Sequence, residues 1–132
     1  MIAFRLDSTS GLAPYLQLVR QVKHALRLGL LVVGDQLPTV KEAVAQLAIN
    51  PNTVLKAYRE LEHDGLIESR PGQGTFVTRT LAGPSLARHA ALRRELLAWL
   101  RRAEEAGLDP ESIEALLSNT FRDALKQQED IA

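Results

Sequence analysis

Hydrophobic residues recur at steps of three and four positions in three stretches of the first half of the chain, which predicts three amphipathic helices. The first helix begins near Pro14, and Thr39 with Glu42 forms a capping-box pattern at the start of a short second helix. The third begins with Asn50 as N-cap and Pro51 in its first turn. The apolar stripes of the three helices are Leu16, Val19, Val22, Leu26 and Leu30; Val40, Ala43, Val44 and Leu47; and Val54, Ala57, Tyr58 and Leu61.

Shorter patterns around these helices predict extended segments and turns. Residues 2–7 alternate apolar with smaller or polar side chains, as in a short extended arm, and "VVGDQLP" at 32–38 has the composition of a turn. Gly65 can end the third helix, and after it "LIESR" and "TFVTR" are strand-like runs on either side of "PGQG". Three helices followed by a hairpin are the element order of a winged helix-turn-helix.

The segment 81–132 predicts two further helices. Residues 86–106 repeat apolar side chains at helical spacing, and Asp109 with Pro110 caps and opens another helix that frays at 126–132. We therefore expect a mainly α fold with a small β-hairpin. A winged helix-turn-helix DNA-binding domain with an N-terminal arm would occupy 1–80, and a two-helix dimerisation segment would occupy 81–132.

Composition narrows the class of protein. The 132 residues include no cysteine, no apolar run of the roughly 18 residues that a membrane span needs, and no uncharged apolar start typical of a signal peptide. We expect a cytoplasmic protein without disulfides. The histidines, His24, His63 and His89, lie on separate predicted elements, and "GQG" lacks the lysine of a phosphate-binding loop. We predict no metal, no cofactor and no enzymatic activity. The net charge of zero neither favours nor excludes a polyanionic partner.

The start of the third helix carries the residues best suited to DNA. A recognition helix presents its N-terminal turns to base edges in the major groove. Asn52 and Thr53 occupy the first turn, where an asparagine amide can both donate to and accept from adenine, and Lys56 lies one turn further on. Asn50 is either a base contact or only the N-cap. A capped surface helix of any small bundle carries the same pattern, so this helix alone leaves both interpretations open.

An ordered series of motifs over residues 14–77 resembles the DNA-binding domain of GntR-type bacterial transcription regulators. The motifs are P-x-x-Q, G-D-x-L-P, "NTV", "AYRELE" followed by "DGLI", and "GQGTFV". The arm "FRLD", the wording "NPNTV" and the short helical tail resemble the YtrA-like subfamily in particular. The resemblance implies a sequence-specific transcription regulator, a repressor rather than an activator, that controls a neighbouring transporter operon.

The resemblance also implies which residues contact DNA, with the wing approaching the minor groove. The implied contacts are Lys41, Asn50, Asn52, Thr53 and Lys56, and, from the wing, Arg70, Gly72, Gln73 and Gly74. Three positions depart from the family pattern. Lys41 replaces the usual arginine and would act as a point charge, Pro51 replaces a polar or basic residue, and Ala48 stands where the turn often has glycine. If that turn needs a positive φ, alanine costs about 1–2 kcal/mol; otherwise the turn differs.

The apolar residues of the two C-terminal helices predict a second copy of the chain as partner. The apolar surface of these two helices is too large to remain exposed to water, and two helices alone are too few to enclose a ligand-binding cavity. We expect a two-fold dimer that spaces two recognition helices by about 34 Å, one DNA turn, on a palindromic operator. The predicted interface residues are Leu92, Leu96, Trp99, Leu100, Leu116, Leu117 and Phe121. The alternative is an intrachain helical hairpin packed back on the DNA-binding domain.

The sequence leaves part of the function open. No residue identifies a small-molecule effector. The contrasting function is a winged-helix protein-interaction module that uses the exposed face of the third helix to bind protein, without specific DNA binding. Salt-dependent binding to a palindromic duplex separates the two functions.

Overall fold

The computed structural model describes the backbone of residues 2–83 and 86–131 and the side chains of residues 2–83 and 89–129. Its elements are α1 (Pro14–Arg27), β1 (Gln36–Leu37), α2 (Val40–Leu47), α3 (Pro51–His63), β2 (Ile67–Arg70), β3 (Gly74–Val77), α4 (Leu86–Glu105) and α5 (Pro110–Ile131). The chain divides into two units, Met1–Leu86 and Ala87–Ala132. The predicted fold class, mainly α with a small β wing, is confirmed.

One hydrophobic core fills the first unit and joins its three helices, the sheet and the arm. Leu18, Val22 and Leu26 of α1 are fully buried, as the predicted stripe requires. The core includes these members of the second and third helices, the sheet and the arm: Ala43, Val54, Ala57, Tyr58, Leu61, Ile67, Val77 and Phe4. Burial of these apolar side chains is the main source of stability of this unit.

The first helix ends one turn earlier than its apolar stripe predicts. α1 stops at Arg27 because Gly29 adopts φ 71°, and the Leu30 N–H then donates back to the Ala25 carbonyl at 2.8 Å. The prediction that Leu30 belongs to the helix is wrong, and its side chain is 70% exposed. Gly65 ends α3 with the same bond pattern, as predicted.

The sheet has three antiparallel strands in the order β1-β3-β2. The two predicted strands form the hairpin, with Ile67 opposite Val77. The interpretation of 32–38 only as a turn is wrong, because Gln36 and Leu37 form a strand that pairs with β3. A two-residue strand is too short to show a period of two, and its partner lies far along the chain.

The N-terminal arm is held against α1 by two glutamine side chains. Gln17 accepts from the Asp7 N–H at 2.8 Å and donates to the Asp7 carbonyl at 3.0 Å. Gln21 makes the same pair of bonds with Arg5, at 2.9 and 2.5 Å. Four residues of helix rise about 6 Å and two residues of strand about 6.6 Å, so the two amides meet alternate residues of the arm.

The second unit consists of α4 and α5, and Asp109 starts the second of these helices. The Asp109 carboxylate accepts from the Ser112 N–H at 2.7 Å, and hydrogen bonding by the Ser112 side chain, then by this N–H, lowers the pKa of Asp109. The prediction that residues 126–132 fray is wrong as far as Ile131, where α5 ends. Lys, Gln and Glu are good helix formers, and no glycine or proline interrupts this segment. No helix in the described ranges is long and apolar enough to span a membrane.

Candidate nucleic-acid interface

The start of α3 is built by a side-chain cap and a proline. The Asn50 side chain accepts from the Asn52 N–H at 2.8 Å, and Pro51 follows at the first helical position. The N-cap interpretation of Asn50 is therefore confirmed, and its Nδ2 group keeps its capacity to donate. This cap fixes the first turn of the helix, on which Asn52 and Thr53 lie.

The turn between α2 and α3 is left-handed at an alanine. Ala48 has φ 52° and ψ 45°, and its N–H donates to the Val44 carbonyl at 2.8 Å. The sequence left two alternatives open here, a positive φ or a different turn, and the structure has the positive φ. Alanine in this conformation is strained by about 1–2 kcal/mol relative to glycine at the same position. The short turn sets the angle between the two helices.

Two predicted contact residues lie exposed on α3, one turn apart. Asn52 and Lys56 are both exposed, and Thr53 between them is half-buried. Lys56 Nζ lies 4.0 Å from the centroid of the Tyr15 ring, which belongs to the first turn of α1. Tyr15 packs against the core cluster. The helix face thus presents one amide and one cation, and the cation rests on an aromatic ring.

The wing is a tight turn between β2 and β3. The Gln73 N–H donates to the Arg70 carbonyl at 2.9 Å, and Gly72 and Gly74 have φ angles of +74° and +133°. Gln36 of β1 lies against Gly74: a Cβ there would come within 2.5 Å of the flexible Nε2 end of that side chain, which can move aside, so this glycine is required by its conformation rather than by space. β1 therefore supports the wing from the side.

The arginine of the wing is held by two groups of its own hairpin. Arg70 Nε lies 2.6 Å from Glu68 Oε1, and its Cζ lies 4.5 Å from the centroid of the Phe76 ring. Both charged side chains of this pair are almost half exposed. The guanidinium is thereby oriented while its terminal nitrogens keep donors for a phosphate.

A cleft of about 430 Å³ runs between the start of α2 and the wing. Thr39 and Val40 line one side, and residues 69–75 line the other. Thr39 caps α2 by accepting from the Glu42 N–H at 3.0 Å, as the capping-box pattern predicts. Within the described ranges, no group of His, Cys, Asp and Glu side chains is arranged to hold a metal.

Comparison with known proteins identifies the family. The profile of "Bacterial regulatory proteins, gntR family" matches residues 14–77. The HTH-type transcriptional regulator YhcF of Bacillus subtilis is 34% identical over 99 residues, which cover 75% of this chain and 82% of that protein. The chain belongs to the GntR family. The prediction of a GntR-type transcription regulator, made from the motifs, is confirmed.

Two further relatives place this GntR-family chain near the YtrA group. The HTH-type transcriptional repressor YtrA of Bacillus subtilis is 40% identical over 74 residues, which cover 56% of this chain and 57% of that protein. The chain thus aligns with little more than half the length of that repressor. A solved structure of YtrA from Sulfolobus acidocaldarius, a GntR-family transcription factor, has a TM-score of 0.53 at 26% identity. The matched region covers 72% of this chain and 97% of the Sulfolobus chain.

The GntR-type contact residues predicted from the sequence all lie in the first unit. They fall on three elements: Lys41 on α2; Asn50, Asn52, Thr53 and Lys56 at the start of α3; and Arg70, Gly72, Gln73 and Gly74 in the wing. In the second unit, the predicted interface residues Leu92, Leu96, Leu116, Leu117 and Phe121 are exposed, by 55, 47, 43, 37 and 67% respectively. Trp99 and Leu100 are half-buried.

Sequence reasoning missed four residues that organise this GntR-family site. Tyr15 and Phe76 hold the two cations, Gln36 supports the wing, and Gln17 anchors the arm. Gln17 is part of the P-x-x-Q motif, which signals that the residue matters but not what it binds. Phe76 likewise belongs to a quoted motif, "GQGTFV", which does not say what the ring contacts. Tyr15 and Gln36 carry no local signal, because their partners are distant in sequence.

Proposed function

We propose that this GntR-family protein is a cytoplasmic repressor that binds a palindromic operator as a homodimer. The observation that carries the proposal is the capped start of α3, where Asn52 and Lys56 stand exposed one turn apart. This is the spacing with which a recognition helix reaches a base edge and a neighbouring phosphate. Repression rather than activation is supported by the 40% identity with a relative named as a repressor.

Each element of the first unit would have its own task on the duplex. Asn52 and Thr53 would read base edges in the major groove, and Lys56 would bind a phosphate beside them. Lys41, at the exposed start of α2, would bind a second phosphate. The wing would reach the minor groove, with Arg70 already oriented by Glu68 and the Phe76 ring.

The second unit supports the homodimer. Large apolar side chains on α4 and α5 are 37 to 67% exposed, which is unfavourable in water and typical of an interface. A two-fold axis through these helices would present two copies of α3 about 34 Å apart, matching an inverted repeat. Control of a transporter operon and response to an effector remain parts of the proposal that rest on the family alone.

The first experiment measures binding to the duplex that the native protein selects from a random-sequence library. We expect Asn52→Ala to weaken binding by about 1–3 kcal/mol and to relax specificity at one base pair of each half-site. Lys56→Ala should weaken binding to all sequences and reduce the salt slope by about one per protomer. Titrations at several salt concentrations, followed by fluorescence anisotropy, separate the two effects.

Arg27→Ala is the matched control, because Arg27 is an exposed cation at the opposite end of α1 from Tyr15. This variant should leave the salt slope unchanged. If Asn52→Ala and Lys56→Ala both bind the selected duplex like the native protein, the face of α3 is not the DNA-binding surface. The protein-interaction function would then be the better account of that face.

A further inference from the structure

We propose that the ring of Tyr15 positions Lys56 for its DNA phosphate, so that α1 contributes to the DNA-binding face through a residue of α3. The inference rests on the proposed function, because it takes Lys56 as a phosphate contact. Tyr15 is a positioning residue in this account and need not touch DNA itself.

The ring is a fixed platform. Tyr15 is the second residue of α1, directly after Pro14, and its side chain packs against the core that α1 shares with α3. Lys56 Nζ lies 4.0 Å from the ring centroid, well within the distance of about 6 Å at which a cation is attracted to an aromatic face. The ring thereby favours one position of a flexible four-carbon side chain on the surface.

The ring holds the cation without neutralising it. Glu60 lies four residues after Lys56, where an intrahelical ion-pair partner would stand. In the described part of the chain, however, neither of the two ion pairs involves Lys56. One carboxylate oxygen of Glu60 is buried instead of facing Lys56 in an ion pair. The full positive charge of Lys56 therefore stays available, and no ion pair has to break when a phosphate arrives.

Because the ring is fixed and Lys56 forms no ion pair, Lys56 is preorganised for a phosphate. A lysine loses rotamer entropy when it binds a phosphate, and here part of that loss has occurred in the free protein. Arg70 differs, because its ring partner Phe76 is accompanied by the carboxylate of Glu68, which competes with a phosphate. Lys56 is thus the cation whose aromatic support should increase DNA affinity most directly.

The first test uses the free protein and does not depend on DNA. We expect the ε-methylene protons of Lys56 to show an upfield ring-current shift in NMR spectra of lysine-labelled protein. Tyr15→Phe should keep this shift, and Tyr15→Leu should abolish it. Absence of the shift in the native protein would overturn the inference while leaving the proposed function intact.

The second test is a double-mutant cycle on the duplex that the native protein selects from a random library. Tyr15→Leu should weaken binding about three-fold, and Tyr15→Phe should bind like the native protein. In a Lys56→Ala background, Tyr15→Leu should have no further effect. Thermal unfolding checks that each variant is folded, and Tyr15→Met replaces Tyr15→Leu if the latter does not fold.

The outcomes separate the inference from the proposed function. If Lys56→Ala alone leaves the affinity unchanged, the proposed role of Lys56 fails. If Lys56→Ala weakens binding and Tyr15→Leu does not, only the positioning role fails. Equal losses for Tyr15→Phe and Tyr15→Leu would point to the hydroxyl and overturn the role of the ring. A loss from Tyr15→Leu that persists in the Lys56→Ala background would make Tyr15 merely structural.

Discussion

Ala48 lies in the turn between α2 and α3 with φ 52° and ψ 45°, a conformation that alanine rarely adopts. The sequence predicts the caps of the two helices that flank this turn, because Thr39, Asn50 and Gly65 are the residue types that such positions require. It does not settle the conformation of Ala48, because nothing about an alanine favours φ above zero. The surrounding helices impose that conformation.

We expect Ala48→Gly to raise the free energy of unfolding by about 0.5–1 kcal/mol, because relief of the strain exceeds the extra chain entropy of glycine. Ala45→Gly is the matched control, since Ala45 is an exposed residue within α2. That variant should lower the free energy of unfolding by about 1 kcal/mol. Urea denaturation measures both, and effects of the same sign would contradict the strain at Ala48.

At the scale of single elements, a repeating apolar pattern is sufficient to predict a helix but not to predict the contacts of an irregular segment. The apolar stripes predict α1, α2 and α3 because helical periodicity is a local property. The contacts of the arm are not predictable in this way, although the motif names Gln17. They depend on the match between the rise of a helix and the rise of a strand, which appears only when the two lie side by side.

Gln17 is 9% exposed, and its amide bonds the Asp7 backbone, the Ser10 hydroxyl and the Leu12 carbonyl. We expect Gln17→Leu to lower the free energy of unfolding by about 1–3 kcal/mol, because it leaves backbone groups without partners. Gln21 is half-buried and its pair of bonds is more exposed to solvent, so Gln21→Leu should cost less. Thermal unfolding of both variants measures this difference. Equal effects would show that burial does not set the strength of the anchor.

At the scale of the whole molecule, the sequence predicts the element order and the family but not the pairings between distant segments. β1 is the clearest case, because its two residues acquire a partner only through the return of β3. The support of Lys56 by Tyr15 is of the same kind, since it joins two helices far apart along the chain, whereas the support of Arg70 by Phe76 lies within one hairpin. The apolar stripes of α4 and α5 predict an apolar surface that needs a partner, and we propose that a second copy of the chain supplies it.

We expect the native protein to sediment as a dimer at micromolar concentration. Leu92→Glu should raise the dimer dissociation constant at least ten-fold, because a carboxylate would be buried in an apolar interface. Leu30→Glu is the control, since Leu30 is 70% exposed in the first unit and outside the proposed interface. Sedimentation of native protein as a monomer, or equal dissociation of both variants, would contradict the dimer.

The segment from Gln36 to Thr39 serves two structures at once. Gln36 and Leu37 complete the sheet, the Pro38 carbonyl accepts from the Tyr58 hydroxyl at 2.6 Å, and Thr39 caps α2. Wing and helices are therefore rigidly coupled through four consecutive residues. Bending or overtwisting of the operator changes the distance between its major and minor grooves, whereas the distance between α3 and the wing is fixed. DNA deformability at base pairs that no side chain touches should consequently enter into operator choice.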